Sequence, residues 1–380
     1  MRFLFIVQGE GRGHMTQAIA LSQILKNIGH KHVATCIGKS KRRKIPDFVF
    51  QNLKGPIYQI ESPNFISDKN NKKILLGKSI FFNLFKLPKF LNSLKEIDEA
   101  VTFHKPDVII NFYDILGGIY KMAYRPKAIS WVIGHQYLIF HPAFPYAKSS
   151  FLEKTLFKLN TKITAIGADR VFALSFQKYP EIPNSKVTVF PPILRELIFN
   201  LRPQHGDFIL TYMVNSGYGD EVIRFAKKNP EIKIEAFWDK KDFEKTYQAL
   251  PNLVFHQVDD KLFLEKMASC RGLLSTAGFE SICEAMYLGK PVMMVPVAGQ
   301  YEQACNAIDA VNAAAGICNH EFDFEFFHDY LNSNQYNTTQ MKSWVGMASR
   351  IFKQEIEKAE YKLEEIESQK DSSSPDFLPI

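Results

Sequence analysis

Residues 3–7, Phe-Leu-Phe-Ile-Val, carry no polar side chain, and the glycine turn Gly9-Glu10-Gly11-Arg12-Gly13-His14 follows at once. Ala18, Ile19, Leu21, Ile24, Leu25 and Ile28 then recur at helical spacing and stop at Gly29. A short, wholly apolar run suits a strand buried on both faces, and strand, turn and amphipathic helix together form the repeating unit of a covered parallel sheet. The unit recurs. Strands are expected at His32–Ile37, Asp107–Asn111, Ala128–Ile133, Arg170–Leu174 and Lys186–Phe190, with a helix over Ile115–Tyr124. Pro191-Pro192 and Arg202-Pro203 bracket a linker, and the alternation restarts at Phe208–Val214. Strands at Lys233–Phe237, Leu253–His256, Gly272–Leu274 and Pro291–Pro296 follow, with helices at Glu221–Lys228, Asp260–Ala268, Gly278–Leu288 and Glu302–Ala314. A long helix over Gln340–Glu367 and a Ser-rich tail close the chain. The reading is α/β, with two doubly wound Rossmann-like domains: residues 1–195, residues 196–368, and a tail at 369–380.

Charge divides at the same place. Residues 1–195 hold 29 Lys/Arg against 12 Asp/Glu, a net +17, and residues 196–380 hold 18 against 28, a net −10. Opposite signs suggest different partners for the two halves. No run of about 18 uncharged apolar residues marks a membrane span, and Gln8-Gly9-Glu10 ends the first apolar run too early for a signal peptide. The five cysteines are scattered without a C-x-x-C pair, which fits a reducing cytoplasm and argues against structural zinc. Residues 74–91 are apolar with Lys78, Lys86 and Lys89 interspersed, and Lys41-Arg42-Arg43-Lys44 add charge. They read as a core-facing helix with a lysine edge, from which a minority of side chains is left to dock on an anionic membrane.

The first glycine turn lacks the Gly-Lys-Ser/Thr of a Walker loop, and His14 stands where a dinucleotide fingerprint needs its third glycine. The turn still opens a helix, so its amides suit an anion or a hydroxyl. His14 has two readings here: a neutral general base at the mouth of the sheet, or a side chain that merely bonds backbone. Asp114, just past a strand, is either the N-cap of the following helix or the partner that orients His14. Gly134-His135-Gln136-Tyr137 follow a third strand end and are placed in the same cleft.

Residues 273–307 are the most specific stretch. A buried strand delivers Ser275-Thr276-Ala277-Gly278 to a helix start, Glu284 lies about one and a half turns in, and Gly289-Lys290-Pro291-Val292, Pro296, Glu302-Gln303 and Asn306-Ala307 follow. This pattern resembles the donor-binding region of GT-B glycosyltransferases of the inverting type, such as the UDP-glycosyltransferases and the lipid-linked N-acetylglucosaminyltransferase of peptidoglycan synthesis. The resemblance implies two domains facing across a cleft, a nucleotide-sugar donor with UDP the expected nucleotide, and no metal or other cofactor. Carried over by position, Glu284 binds ribose, and Glu302 and Gln303 bind the donor sugar. Ser275, Thr276, Gly278, Phe279 and Glu280 hold the diphosphate, Val258 meets the base, and Gly217 lies near the phosphates. His14 becomes the base with Asp114 as its partner, while Gly11, Arg12 and His135 face the acceptor. Thr276 replaces the His or Arg of those families, which shifts the phosphate contacts onto its hydroxyl and the helix amides. The absence of a Glu at 276, eight residues before Glu284, favours inversion over retention. The implied acceptor is a small molecule, glycan or lipid-linked compound, and the implied location is cytoplasmic, peripheral on the inner face of a membrane. A nucleotide-sugar 2-epimerase or hydrolase on this fold remains open, as does a non-catalytic nucleotide-sugar sensor or partner subunit. Nucleic acid is not expected, because no recognised module or base-stacking motif is present.

Overall fold

A computed structural model describes residues 1–39, 45–63, 83, 85–148, 151–213, 219–238, 244–333 and 339–372. Gly217, residues 41–44, most of the 74–91 stretch and the end of the tail lie outside the described residues. The first sheet contains β1 (Arg2–Val7), β2 (Lys31–Lys39), β3 (Ile57–Glu61), β4 (Val108–Phe112), β5 (Ile129–Gly134), β6 (Arg170–Leu174) and β7 (Val187–Phe190). All its pairings are parallel, in the order β3-β2-β1-β4-β5-β6-β7. The second contains β8 (Phe208–Met213), β9 (Lys233–Trp238), β10 (Thr246–Leu250), β11 (Leu253–Gln257), β12 (Gly272–Thr276), β13 (Val292–Val295) and β14 (Gly316–Cys318). Its order is β10-β11-β9-β8-β12-β13-β14, parallel except where β10 meets β11. Strand order reverses between β1 and β4 in one sheet and between β8 and β12 in the other. Loops leaving the carboxyl ends of neighbouring strands part there and open a crevice. Val7 pairs with Phe112, so the two loops of the first crevice start level.

The strands with continuous apolar runs, β1, β4, β5, β12 and β13, are the buried central ones. The three strands without a sequence signal, β3, β10 and β14, lie at or beside sheet edges, where half-exposure allows mixed polarity. The helices Asp47–Asn52, Phe151–Thr164, Glu196–Phe199 and Phe324–Ser333, and Leu87–His104 beyond residue 91, had no sequence expectation either. Gly9 is fixed by a close approach: a Cβ there would lie 1.6 Å from the Gly38 carbonyl oxygen on β2.

The long terminal helix is broken at Gly346 into Thr339–Val345 and Ala348–Ser372. It also lies on the first sheet rather than the second. Phe352 packs on Trp131, Phe172 and Phe190, Arg170 pairs with Glu355 at 3.0 Å, and Trp344 Nε1 donates to the Ser175 carbonyl at 3.0 Å. Phe352, Ile356 and Ala359 form a helical stripe that the first domain covers. The sequence unit 196–368 thus crosses back in space over its last part.

Candidate active site

Both crevices open on one cleft of about 620 Å³, lined from the first domain by Gly11, Arg12, His14, His135 and Gln136 and from the second by Val258, Thr276, Gly278, Phe279, Glu280, Glu284, Glu302 and Gln303. Ser275 and Asp114 are fully buried and do not line it.

On the first wall Gly11 caps the helix Arg12–Asn27, which puts His14 in its first turn. The imidazole is 8% exposed and stacks on Tyr113, with ring centroids 5.8 Å apart. Tyr113 itself sits at φ 61, in the left-handed region, between the end of β4 and the next helix. Burial drives His14 down to about 4, opposed only by the Gln17 side chain, so the ring is neutral across the physiological range. Gln136 Nε2 approaches His14 Nε2 at 3.4 Å, and Nδ1 makes no well-formed hydrogen bond.

Asp114 does not partner His14. Its Oδ1 accepts from Leu116 N at 2.8 Å and from Ser62 Oγ at 2.9 Å, which makes it the N-cap of the helix Ile115–Tyr124. Burial raises its carboxyl to about 6. A His–Asp apposition does occur, but at His135. There Nδ1 donates to the Leu174 carbonyl at 2.8 Å and Nε2 faces Asp309 Oδ2 at 3.6 Å. The other Asp309 oxygen accepts from Tyr179. Burial lowers His135 and raises Asp309, so both tend to the neutral form. His135 lines the cleft, and its ring stacks on Phe279 with centroids 4.3 Å apart. Nδ1 is bonded within its own domain and the buried Nε2 faces Asp309, which corrects the expectation that His135 offers a polar group to an acceptor.

The second wall begins where β12 ends. Gly278 caps the helix Phe279–Leu288, and a Cβ there would meet nothing within 4 Å, so the approach to the first amides is open. Asn306 Nδ2 braces the turn through the Ala277 carbonyl at 3.0 Å. Glu280, in the first turn, accepts a hydrogen bond from Gln17 of the opposite domain. Glu302 does the same from Gln136, at 2.8 Å. Gln303 reaches the cleft but spends its amide locally, accepting from Val297 N at 3.0 Å and donating to Gln300 at 2.7 Å.

Among the described lining residues acids outnumber bases: Glu10, Glu153, Asp259, Asp260, Glu280, Glu284 and Glu302 against Arg12 and Arg195. Burial resolves part of this imbalance. It pushes Glu280 to about 8, helped by neighbouring Glu284, and Glu302 to about 7, so both carboxyls hold or share a proton near neutral pH. They act there as hydrogen-bonding groups and repel an anionic ligand less than their number suggests. Glu284 is also raised by burial, but Arg195 works against that. Gln136 lines the cleft as the sequence placed it, whereas sequence reading missed Arg195, Gln17 and Tyr113. None of these three sits in a motif, and each gains its role through a contact with a distant segment.

Residues 1–333 match Glycosyl transferase family 1. A processive diacylglycerol β-glucosyltransferase from Bacillus licheniformis is 23% identical over 340 residues, covering 84% of this chain and 83% of the relative. Among solved structures, MurG from Acinetobacter baumannii superposes with a TM-score of 0.57 at 16% identity, over 94% of this chain and 99% of that one. UDP-GlcNAc 2-epimerase from Neisseria meningitidis, bound to UDP-GlcNAc, gives 0.54 at 14% identity, over 94% and 100%. The chain belongs to Glycosyl transferase family 1 and has the GT-B fold. It is a glycosyltransferase.

Proposed function

We propose that this family 1 glycosyltransferase moves a sugar, with inversion and without a metal, from a UDP-sugar to a hydroxyl of a lipid-linked or anionic acceptor at a membrane surface. One observation carries the reading: a neutral imidazole on one wall faces, across a single cleft, an open helix N-terminus flanked by Glu284 and Glu302. The acceptor hydroxyl gives its proton to His14 as its oxygen attacks the anomeric carbon. The bond from that carbon to the diphosphate oxygen breaks, and the diphosphate leaves with the electron pair. A single displacement from the opposite side inverts the centre. Helix-terminal N–H groups after Gly278 and the Thr276 hydroxyl meet the developing charge. The diphosphate's own charge raises the imidazole's proton affinity in the loaded cleft. Glu302, which accepts from Gln136, turns to the donor sugar's hydroxyls.

The acceptor side rests on the helix Phe151–Thr164. Phe151, Leu152 and Leu159 are 86%, 61% and 52% exposed, while Leu156, Phe157 and Leu159 also line the cleft. Lys154 and Lys158 lie over the Tyr146 ring on the same helix face. Exposed Phe85, Leu87 and Leu91 follow Asn83, another lining residue. Apolar side chains among lysines, beside the cleft mouth, suit an anionic bilayer delivering a lipid acceptor. The glucosyltransferase relative, whose name specifies diacylglycerol, supports the same acceptor class. Among the described residues no helix is long and apolar enough to cross a membrane.

The test is product analysis with UDP-sugars and EDTA, with and without diacylglycerol in anionic vesicles, on wild type and His14→Ala. Glycolipid of inverted configuration is expected, with a loss of about 10²–10⁴-fold on removing the base. An epimer or free sugar formed without acceptor sinks the transferase reading. Near wild-type transfer by a folded His14→Ala sinks the role of the base.

A further inference from the structure

Arg195 belongs to the linker between β7 and β8, outside both sheets. The linker is anchored: Pro191 to Leu194 are buried, and Ile193 is fully so. From that fixed base the guanidinium reaches into the second domain. Its Nε and one terminal nitrogen donate to the same Glu284 oxygen, at 2.9 and 2.7 Å, and its other terminal nitrogen approaches Asp260 at 3.5 Å. The Arg195 side chain is 13% exposed and that of Glu284 3%, so the pair is nearly removed from water. Both residues line the cleft. A fork that saturates one carboxylate oxygen fixes the plane of the carboxylate and leaves the second oxygen's lone pairs to a ligand. An unpaired buried glutamate would instead take up a proton and lose acceptor capacity.

We infer that Arg195 is a positioning residue, which holds Glu284 ionised and oriented so that it recognises the ribose hydroxyls of the donor nucleotide. The inference rests on the reading of Glu284 as the ribose contact. It also makes donor recognition depend on a residue of the linker between the two sheets.

The experiment compares binding of UDP and 2′,3′-dideoxy-UDP to wild type, Arg195→Met, Arg195→Lys and Glu284→Gln by calorimetry, with unliganded Tm as the control for folding. Wild type should prefer UDP by about 10- to 100-fold, the range for a hydrogen bond to a charged group. Arg195→Met and Glu284→Gln should both lose most of that preference, while Arg195→Lys, a cation without the fork, should retain an intermediate part. A general loss of structure would weaken both nucleotides equally and leave their ratio intact. Full preference for UDP in Arg195→Met overturns the inference, and if that variant does not fold, full preference in Arg195→Lys does so. A wild type that binds both nucleotides alike overturns the ribose reading of Glu284 itself, and the role of Arg195 falls with it.

Discussion

Glu280 sits partly buried at a helix N-terminus, where a diphosphate is proposed to bind, and its carboxyl is pushed from 4.5 to about 8. Burial is the main cause and neighbouring Glu284 the second. The unfolded chain releases this proton near 4.5, whereas the folded chain holds it to about 8. Folding is coupled to proton uptake between those values, so the stability this group contributes is full at low pH and falls as pH rises through the window. At about 1.4 kcal/mol per pH unit the whole loss approaches roughly 5 kcal/mol, on the order of 10 °C in Tm for a domain of this size. Glu280→Gln keeps an oxygen to accept from Gln17 and removes the titration. Glu302, raised to about 7, and Asp114, raised to about 6, titrate in overlapping ranges, so the informative quantity is the difference between the two proteins. Thermal melts from pH 5 to 9 should show the variant's advantage growing with pH and levelling above 8. UDP affinity should follow, declining above pH 8 in wild type and holding steady in the variant, because an ionised Glu280 repels the diphosphate. A Tm difference that stays constant across this pH range would refute the reasoning.

Three further outcomes are expected. Asp114→Ala removes the acceptor for Leu116 N and Ser62 Oγ and should cost about 1–3 kcal/mol in urea unfolding, with less than tenfold change in transfer by the folded enzyme. A hundredfold loss at unchanged stability would return Asp114 to the catalytic machinery. Gly9→Ala forces a Cβ against the Gly38 carbonyl and should lower the urea midpoint sharply, so a wild-type midpoint would show that the two strands part easily there. Phe151→Glu with Leu152→Glu should leave Tm unchanged, since both side chains are exposed, and reduce cosedimentation with anionic vesicles about tenfold or more. Undiminished binding would remove this helix from the proposed membrane face.

The local pattern of the chain was enough to specify the two doubly wound halves. Apolar runs such as Phe3–Val7 admit a buried strand, glycine turns such as 9–13 follow, and the helical spacing after them is unambiguous. Asp114 shows the limit of that logic. Sequence alone allowed either a cap or a catalytic partner, because both use the same carboxylate after a strand. Only the position of Ser62, fifty-two residues away in the chain, shows which way the oxygens turn. Three of the four edge strands, β3, β10 and β14, were silent because half-exposed residues need no apolar run.

The sequence by itself determined which residue types stand at the ends of which strands, and hence that His14, Gly278, Glu284 and Glu302 belong to the crevices of two sheets. Tertiary structure alone decided how the crevices meet. Gln17 reaches Glu280, Gln136 lies between His14 and Glu302, His135 turns to Asp309, and Arg195 grips Glu284 from the linker. Those contacts join segments 89 to 263 residues apart. The reason is physical: strand and helix periodicity is a property of neighbours along the chain, whereas the protonation and aim of a buried side chain depend on groups that only folding brings to it.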